Sequence, residues 1–176
     1  MRSNRGIKVS DLSPLEQTSL LTQYARALDS QWPKPILGDS LAADIVSKID
    51  YDFEGLGVPT SVVCQAALRA KMLDERVRAF TSDNPDAVVV DLGAGLDSGP
   101  FRVSPPPAVD WYSVDLPGVI ALRKRLLTSV RNLAAGIEPP EASNPKAYRV
   151  RPGDFMLPRD VPVADGAKDI LLIGSH

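Results

Sequence analysis

Through the first half of the chain apolar residues recur in steps of three and four, and in the second half they gather into short unbroken runs. Ser13-Pro14-Leu15-Glu16 opens the first periodic stretch. A serine with glutamate three residues on is a capping box. Proline suits the first helical position because its missing N–H would find no partner there anyway. Leu20, Leu21, Tyr24, Ala25 and Leu28 then fall on one side of a helix, and Trp32-Pro33-Lys34-Pro35 ends it, since proline cannot continue a helix. A second helix is expected over Asp39 to Ile49, apolar at Leu41, Ala42, Ile45, Val46 and Ile49. Gly55-Leu56-Gly57-Val58-Pro59 reads as a turn. Thr60 or Ser61 stands where it can cap a third helix, whose Val63, Ala66, Ala70, Leu73, Val77 and Phe80 predict one buried face.

The pattern changes after Asn84-Pro85-Asp86. Ala87 to Leu92 is a β-branched run of the kind that fills a strand buried on both faces. Gly93-Ala94-Gly95 makes a turn, and Ser104-Pro105-Pro106-Pro107 a proline-rich loop. A second strand is predicted at Asp110 to Asp115. It is followed by a helix opening at Pro117, with Val119, Ile120, Leu122, Leu126, Leu127 and Val130 on its apolar side. Gly136 to Lys146 reads as an exposed loop. Ala147 to Val150 reads as a third strand ending near Gly153-Asp154-Phe155, and Asp169 to Ile173 as a fourth. Strands alternating with helices imply right-handed crossovers and a parallel sheet. The expected fold is therefore α/β, a Rossmann-like sheet limited to its first four strands over 84–176, with a helical N-terminal cap over 1–83.

The chain has 176 residues, 44% of them hydrophobic, and a formal net charge of -2. Those values suit a soluble globular domain with a real core. The near-zero charge and the lack of a Lys/Arg block argue against nucleic acid and an acidic membrane as partners. The polar start argues against a secretory signal. Cys64 is the single cysteine, so no internal disulfide can form, which fits a reducing cytoplasm. On an apolar helix face it reads as a small core residue. The only histidine is His176, which argues against a histidine-based triad or a histidine-rich metal site.

The chemistry concentrates at Val88-Val89-Val90-Asp91-Leu92-Gly93-Ala94-Gly95. Glycines after a buried strand let the backbone approach a ligand with no side chain between. Asp115 lies 20 residues beyond Gly95, where nucleotide-binding βαβ units place the acid that accepts from ribose hydroxyls. The dinucleotide fingerprint needs glycine where this chain has Ser98, and that third glycine permits close helix–strand packing beneath a pyrophosphate. Asp91 and Asp97 would repel phosphate but tolerate a cationic sulfonium and ammonium. S-adenosyl-L-methionine thus fits better than NAD. Plainer readings stay open: the two glycines as an ordinary tight turn, and Asp115 as a cap of the following helix.

Two stretches carry a family resemblance. Val88 to Arg102, VVVDLGAGLDSGPFR, resembles the first motif of the leucine carboxyl methyltransferase family, especially its TcmP-like bacterial O-methyltransferase branch. Trp111 to Ile120, WYSVDLPGVI, resembles the second motif, and Leu68 to Asp74 resembles the helix before the first strand. The resemblance implies a class I methyltransferase moving a methyl group from S-adenosyl-L-methionine to a carboxyl or hydroxyl oxygen of a small molecule, a polyketide-like acid among them. It implies that Arg69 holds the methionine carboxylate and that Gly93, Ala94 and Gly95 line the cofactor. It further implies that Asp115, beside Leu116, binds the ribose, and that Asp154 with Phe155 meets the adenine. Arg69 as a solvated helix residue and Asp154 as a turn residue remain alternatives.

The chain also departs from the family pattern. Gly99 stands where the family has arginine, which predicts a looser loop. No carboxylate stands near Ser175, where the family carries an acid. Family members continue well past the position of His176, so the chain is expected to be C-terminally truncated. Ile170 to Ile173 would then be an exposed apolar edge open to self-association, and the chain marginally stable and poorly active. No catalytic residue is named, because a carboxylate acceptor needs no general base. A remnant that keeps only cofactor binding or chain association is the rival reading, and a dinucleotide oxidoreductase, disfavoured by Ser98, is a third.

Overall fold

A computed structural model describes residues 6–133 and 169–174. Helix α1 spans Pro14–Ser30 and starts on the capping box that the sequence spells out. The Ser13 hydroxyl accepts from the Glu16 N–H at 3.4 Å, and the Glu16 carboxylate accepts from the Ser13 N–H at 2.9 Å. Asp29, fully buried near its end, accepts from the backbone N–H groups of Ile36, Leu37 and Gly38 at 2.8, 3.0 and 2.9 Å. One carboxylate thereby pins the proline-rich turn that follows.

Helix α2 is shorter than expected, Ser40–Ser47, with Asp39 as its N-cap. Ile49 leaves the helix because strand pairing takes it. Strand β1 (Ile7–Lys8) and strand β2 (Ile49–Asp50) form a small parallel ladder, and the Ile49 side chain turns into the core. A single 3-10 turn covers Glu54–Leu56. Helix α3 spans Thr60–Asp83, and here too the structure corrects the reading. Neither Thr60 nor Ser61 caps it. Pro59 holds the N-cap position in an extended conformation without a side-chain hydrogen bond, and its carbonyl accepts from Val62 and Val63. The buried face of α3 is Val63, Ala66, Ala67, Ala70, Asp74, Val77 and Thr81, so two polar residues sit where Leu73 and Phe80 were expected. Cys64 is half-buried.

Strand β3 (Val88–Leu92) is the middle of a parallel three-stranded sheet, between β4 (Asp110–Val114) and β5 (Ile170–Gly174). The register sets Val89 beside Trp111 and Leu171. Because strand side chains alternate, these three share a face, packed with Ile173, Val103 and Val109 against Val77 of α3. A short helix α4 (Gly99–Val103), not anticipated, precedes the proline-rich loop, and α5 (Pro117–Leu133) follows β4.

The cap and the sheet region share one core. Leu20, Ile45, Phe53 and Ile49 from the first part of the chain pack with Leu96 of the glycine turn and Val119, Leu122 and Leu126 of α5. The expected loop 136–146, the third strand at 147–150, Asp154 and Phe155 lie outside the described residues.

Candidate functional site

At Leu92 the chain must leave the sheet abruptly. Gly93 and Gly95 do so with φ of 67° and 53°, a left-handed conformation that costs other residues a steric clash. The turn is then tied to the neighbouring strand. The N–H groups of Gly93 and Ala94 both donate to the carbonyl of Val114, at 2.8 and 3.2 Å. The Gly95 N–H donates to Asp115 Oδ2 at 2.6 Å, while the Leu116 N–H donates to Asp115 Oδ1 at 2.7 Å. Each Asp115 oxygen therefore has one backbone partner and keeps acceptor capacity for a hydroxyl. Gly93, Ala94, Gly95, Asp115 and Leu116 are brought together at the carboxyl end of the sheet. Arg69 is exposed on α3.

Helix α1 closes over this turn. A Cβ on Gly95 would stand 3.8 Å from the Cβ of Ser19. Glu16 reaches further: its second carboxylate oxygen accepts from the Gly118 N–H at 2.9 Å, so one acid caps α1 and the start of α5 together. Those contacts hold its carboxyl below the usual range, the Ser13 N–H and hydroxyl most strongly, then Gly118 and Val119.

Three arginines surround the turn, and the sequence reading missed all of them. Arg123 of α5 is buried, and one terminal nitrogen donates to the Gly95 carbonyl at 3.1 Å and to the Ala94 carbonyl at 3.5 Å. Its burial lowers its pKa from the ordinary value. Arg26 of α1 is buried too. One terminal nitrogen donates to Gln23 Oε1 at 2.7 Å, while its Nε lies 3.6 Å from Asp97 and has no hydrogen-bond partner among the described residues. Arg102 of α4 grips Asp97 through two nitrogens. Burial alone would raise the Asp97 pKa, but the Coulomb fields of Arg26 and Arg102 win and hold it far below the carboxylate range. The acids expected to give the turn a negative lining are thus partly neutralised at Asp97. Beside Gly99, where the family carries arginine, the Arg102 guanidinium stands 3.8 Å from where a Cβ would lie.

A signal for Arg26 was present in the sequence. Ser19, Leu20, Gln23, Arg26 and Ala27 follow the same three-and-four spacing as the buried face of α1. Charged residues on an apolar stripe are almost never fully buried without partners. Together the bend, the acid on the next strand and the buried guanidinium suit a ligand with vicinal hydroxyls at one end and a zwitterion at the other.

Comparison with known proteins agrees with that chemistry. The family model described as leucine carboxyl methyltransferase matches residues 19–158. The "Tetracenomycin polyketide synthesis O-methyltransferase TcmP" of Streptomyces glaucescens is 44% identical over 115 residues, which cover 65% of this chain and 43% of that protein. The "S-adenosyl-L-methionine-dependent methyltransferase dpfgK" of Gibberella zeae is 32% identical over 125 residues, covering 66% of this chain and 42% of that one. A putative S-adenosyl-L-methionine-dependent methyltransferase of Mycolicibacterium smegmatis is 28% identical over 130 residues, covering 67% and 43%. The matched stretch thus makes up less than half the length of each of these relatives.

Proposed function

The chain belongs to the leucine carboxyl methyltransferase family, and from that premise we propose that it binds S-adenosyl-L-methionine at the Gly93–Gly95 turn. The bond from Gly95 N–H to Asp115 carries this reading, because it joins the side-chain-free bend to an acid with acceptor sites left over. Asp115 takes the ribose hydroxyls by charge-assisted hydrogen bonds. Arg26, whose buried Nε pairs with Asp97 at 3.6 Å but has no hydrogen-bond partner among the described residues, faces the carboxylate of the amino-acid end, with Arg69 as the second candidate for it. Asp154 and Phe155 are the residues proposed for the adenine.

When bound, S-adenosyl-L-methionine supplies an electrophilic methyl group on a sulfonium. The protein's share is to hold that group in line with the acceptor oxygen and to exclude water, so that most of the rate comes from positioning. The acceptor proposed is a carboxyl or hydroxyl oxygen of a small molecule, in keeping with the name of the Streptomyces relative. A polyketide-like carboxylic acid needs no base from the protein. Equilibrium titration with S-adenosylhomocysteine and with NAD tests the cofactor. Saturable binding of the first alone supports the reading, and preference for NAD ends it. Transfer of a labelled methyl group from S-adenosyl-L-methionine to aromatic polyketide acids tests the acceptor.

One observation favours a second reading, chain association without turnover. Strand β5 pairs with β3 along one edge, and Ile170 and Leu172 stand 44% and 55% exposed. Such an apolar edge pairs readily with a second chain. Sedimentation of the chain across a concentration series separates the readings: a dimer that binds no S-adenosylhomocysteine supports association alone.

A further inference from the structure

The glycine turn leads directly into a cluster of buried charges drawn from four parts of the fold. Arg102 of α4, one-tenth exposed, lies at its centre. Its Nε and one terminal nitrogen donate to the two carboxylate oxygens of Asp74 on α3, at 2.8 and 3.1 Å. The other terminal nitrogen donates to Asp39 at 2.6 Å, to Asp97 at 2.5 Å and to the Ser98 hydroxyl at 3.0 Å. Asp39 is also the N-cap of α2, where its other oxygen accepts from the Ala42 N–H at 3.2 Å. The Ser98 hydroxyl donates to Asp39 at 2.6 Å, closing a ring between the end of the turn and the cap of α2.

We infer that Arg102 is a positioning residue for the glycine turn: through Asp39, Asp74 and Asp97 it sets the exit of the turn against the helical cap. That it thereby sets the bound cofactor rests on the function proposed above. The reason is geometric. Asp97 belongs to the turn, Asp39 to the start of α2 and Asp74 to the middle of α3, and among the described residues no backbone hydrogen bonds tie these three elements together. A planar guanidinium with five donors in a fixed fork can grip one carboxylate with two prongs and still reach two more. An ammonium presents a point charge and cannot.

Removing the guanidinium has a defined consequence. Three buried carboxylates would face one another in a poorly solvated place. The other charged groups facing the cluster are Arg26 on α1, 3.6 Å from Asp97, Arg123 on α5, whose field also acts on Asp97, and Arg78 on α3, half-exposed, 3.9 Å from Asp74 and donating to the Arg102 carbonyl at 2.7 Å. Arg26 and Arg123 still compensate Asp97, so the stranded charge is that of Asp39 and Asp74. The repulsion is relieved by Asp39 swinging outward, which frees Ser98 and opens the exit of the turn, or by Asp74, whose pKa burial already raises, taking up a proton.

Hydrogen–deuterium exchange on the intact chain tests the inference, with Arg102→Met, Arg102→Lys, Asp39→Asn and, as a surface control on the exposed side of α3, Arg76→Met. For Arg102→Met near pH 8, the amides of 94–98 should exchange at least about tenfold faster, relative to the core amides of α1 in the same variant. After correction for intrinsic rates, the excess should shrink as the pH falls and the stranded Asp74 takes up a proton. Arg102→Lys should recover only part of the protection, Asp39→Asn should lose a lesser part, and Arg76→Met should match the wild type. Wild-type protection of 94–98 in a cooperatively melting Arg102→Met overturns the inference, as does an increase spread evenly over the chain. If Arg102→Met does not fold, Asp39→Asn decides by the same two outcomes. Titration with S-adenosylhomocysteine is the second arm, where Arg102→Met should weaken binding about tenfold in step with loop opening. A wild type that does not bind it overturns the cofactor reading and the cofactor half of this inference, while exchange still decides the loop.

Discussion

The carboxylate of Asp115 accepts a 2.6 Å hydrogen bond from the backbone N–H of Gly95, 20 residues earlier in the chain. The same carboxylate accepts from the Leu116 N–H at 2.7 Å. Asp115→Ala strands both donors, a loss of about 1–3 kcal/mol. Urea unfolding should show that drop, and affinity for S-adenosylhomocysteine should fall at least about tenfold beyond what instability explains. Binding within about twofold of wild type by a folded Asp115→Ala would rule out Asp115 as the ribose acceptor.

Gly95→Ala should cost about 1–2 kcal/mol, the penalty of a left-handed residue with a side chain. Crowding contributes little, because the nearest atom to the new Cβ would be that of Ser19 at an ordinary 3.8 Å. Gly99→Ala is the comparison. Gly99 begins α4 without a positive φ, and its nearest neighbour to a Cβ would be Asp97 Oδ2 at 3.6 Å. It should be neutral or stabilising by about 0.4–1 kcal/mol. Equal losses at the two positions in denaturant titrations would show the conformational account to be wrong.

Glu16 links the cap of α1 to the start of α5. Its carboxyl pKa is held below the ordinary value of 4.5 by the Ser13 and Gly118 donors. A depressed carboxyl adds stability above its unfolded pKa and loses it as pH falls through the folded value. Wild type should therefore lose more stability than Glu16→Gln as the solution is acidified below 4.5. Parallel pH profiles for the two would refute this linkage. Gly118→Ala should remove the same bond sterically, since its Cβ would lie within contact distance of the Glu16 carboxylate and force it aside. The expected loss is about 0.5–1.5 kcal/mol by equilibrium unfolding.

Shared burial of Leu20, Ile45, Leu96 and Leu122 makes the helical cap and the sheet region one cooperative unit. Two tryptophans report on the parts separately: Trp32 packs with Val63 and Ala25 in the cap, and Trp111 lies on β4. Trp32→Phe and Trp111→Phe should show coincident fluorescence transitions, each allowed its own stability change by a far-ultraviolet dichroism trace on the same sample. Leu20→Ala should lower both by about 2–5 kcal/mol. A fluorescence midpoint displaced from the dichroism midpoint would mean the parts unfold independently.

Features that depend on near neighbours could be read along the chain. The Ser13 capping box, the stop before Pro33, the strand at 88–92 and the pairing of a glycine turn with an acid 20 residues on follow from spacing, because helix caps, side-chain alternation and backbone freedom are local properties. The shortened α2 is different. Ile49 satisfies a helical pattern, and only its pairing with Ile7, from a distant part of the chain, draws it into a strand. The buried arginines are the clearest case. Residue type places Arg26, Arg102 and Arg123 in water, and each is buried because folding brings a carboxylate or a carbonyl from another element against it. A buried charge is tolerated only with such partners, and partners at separations such as Arg102 to Asp39 exist only once the helices have packed.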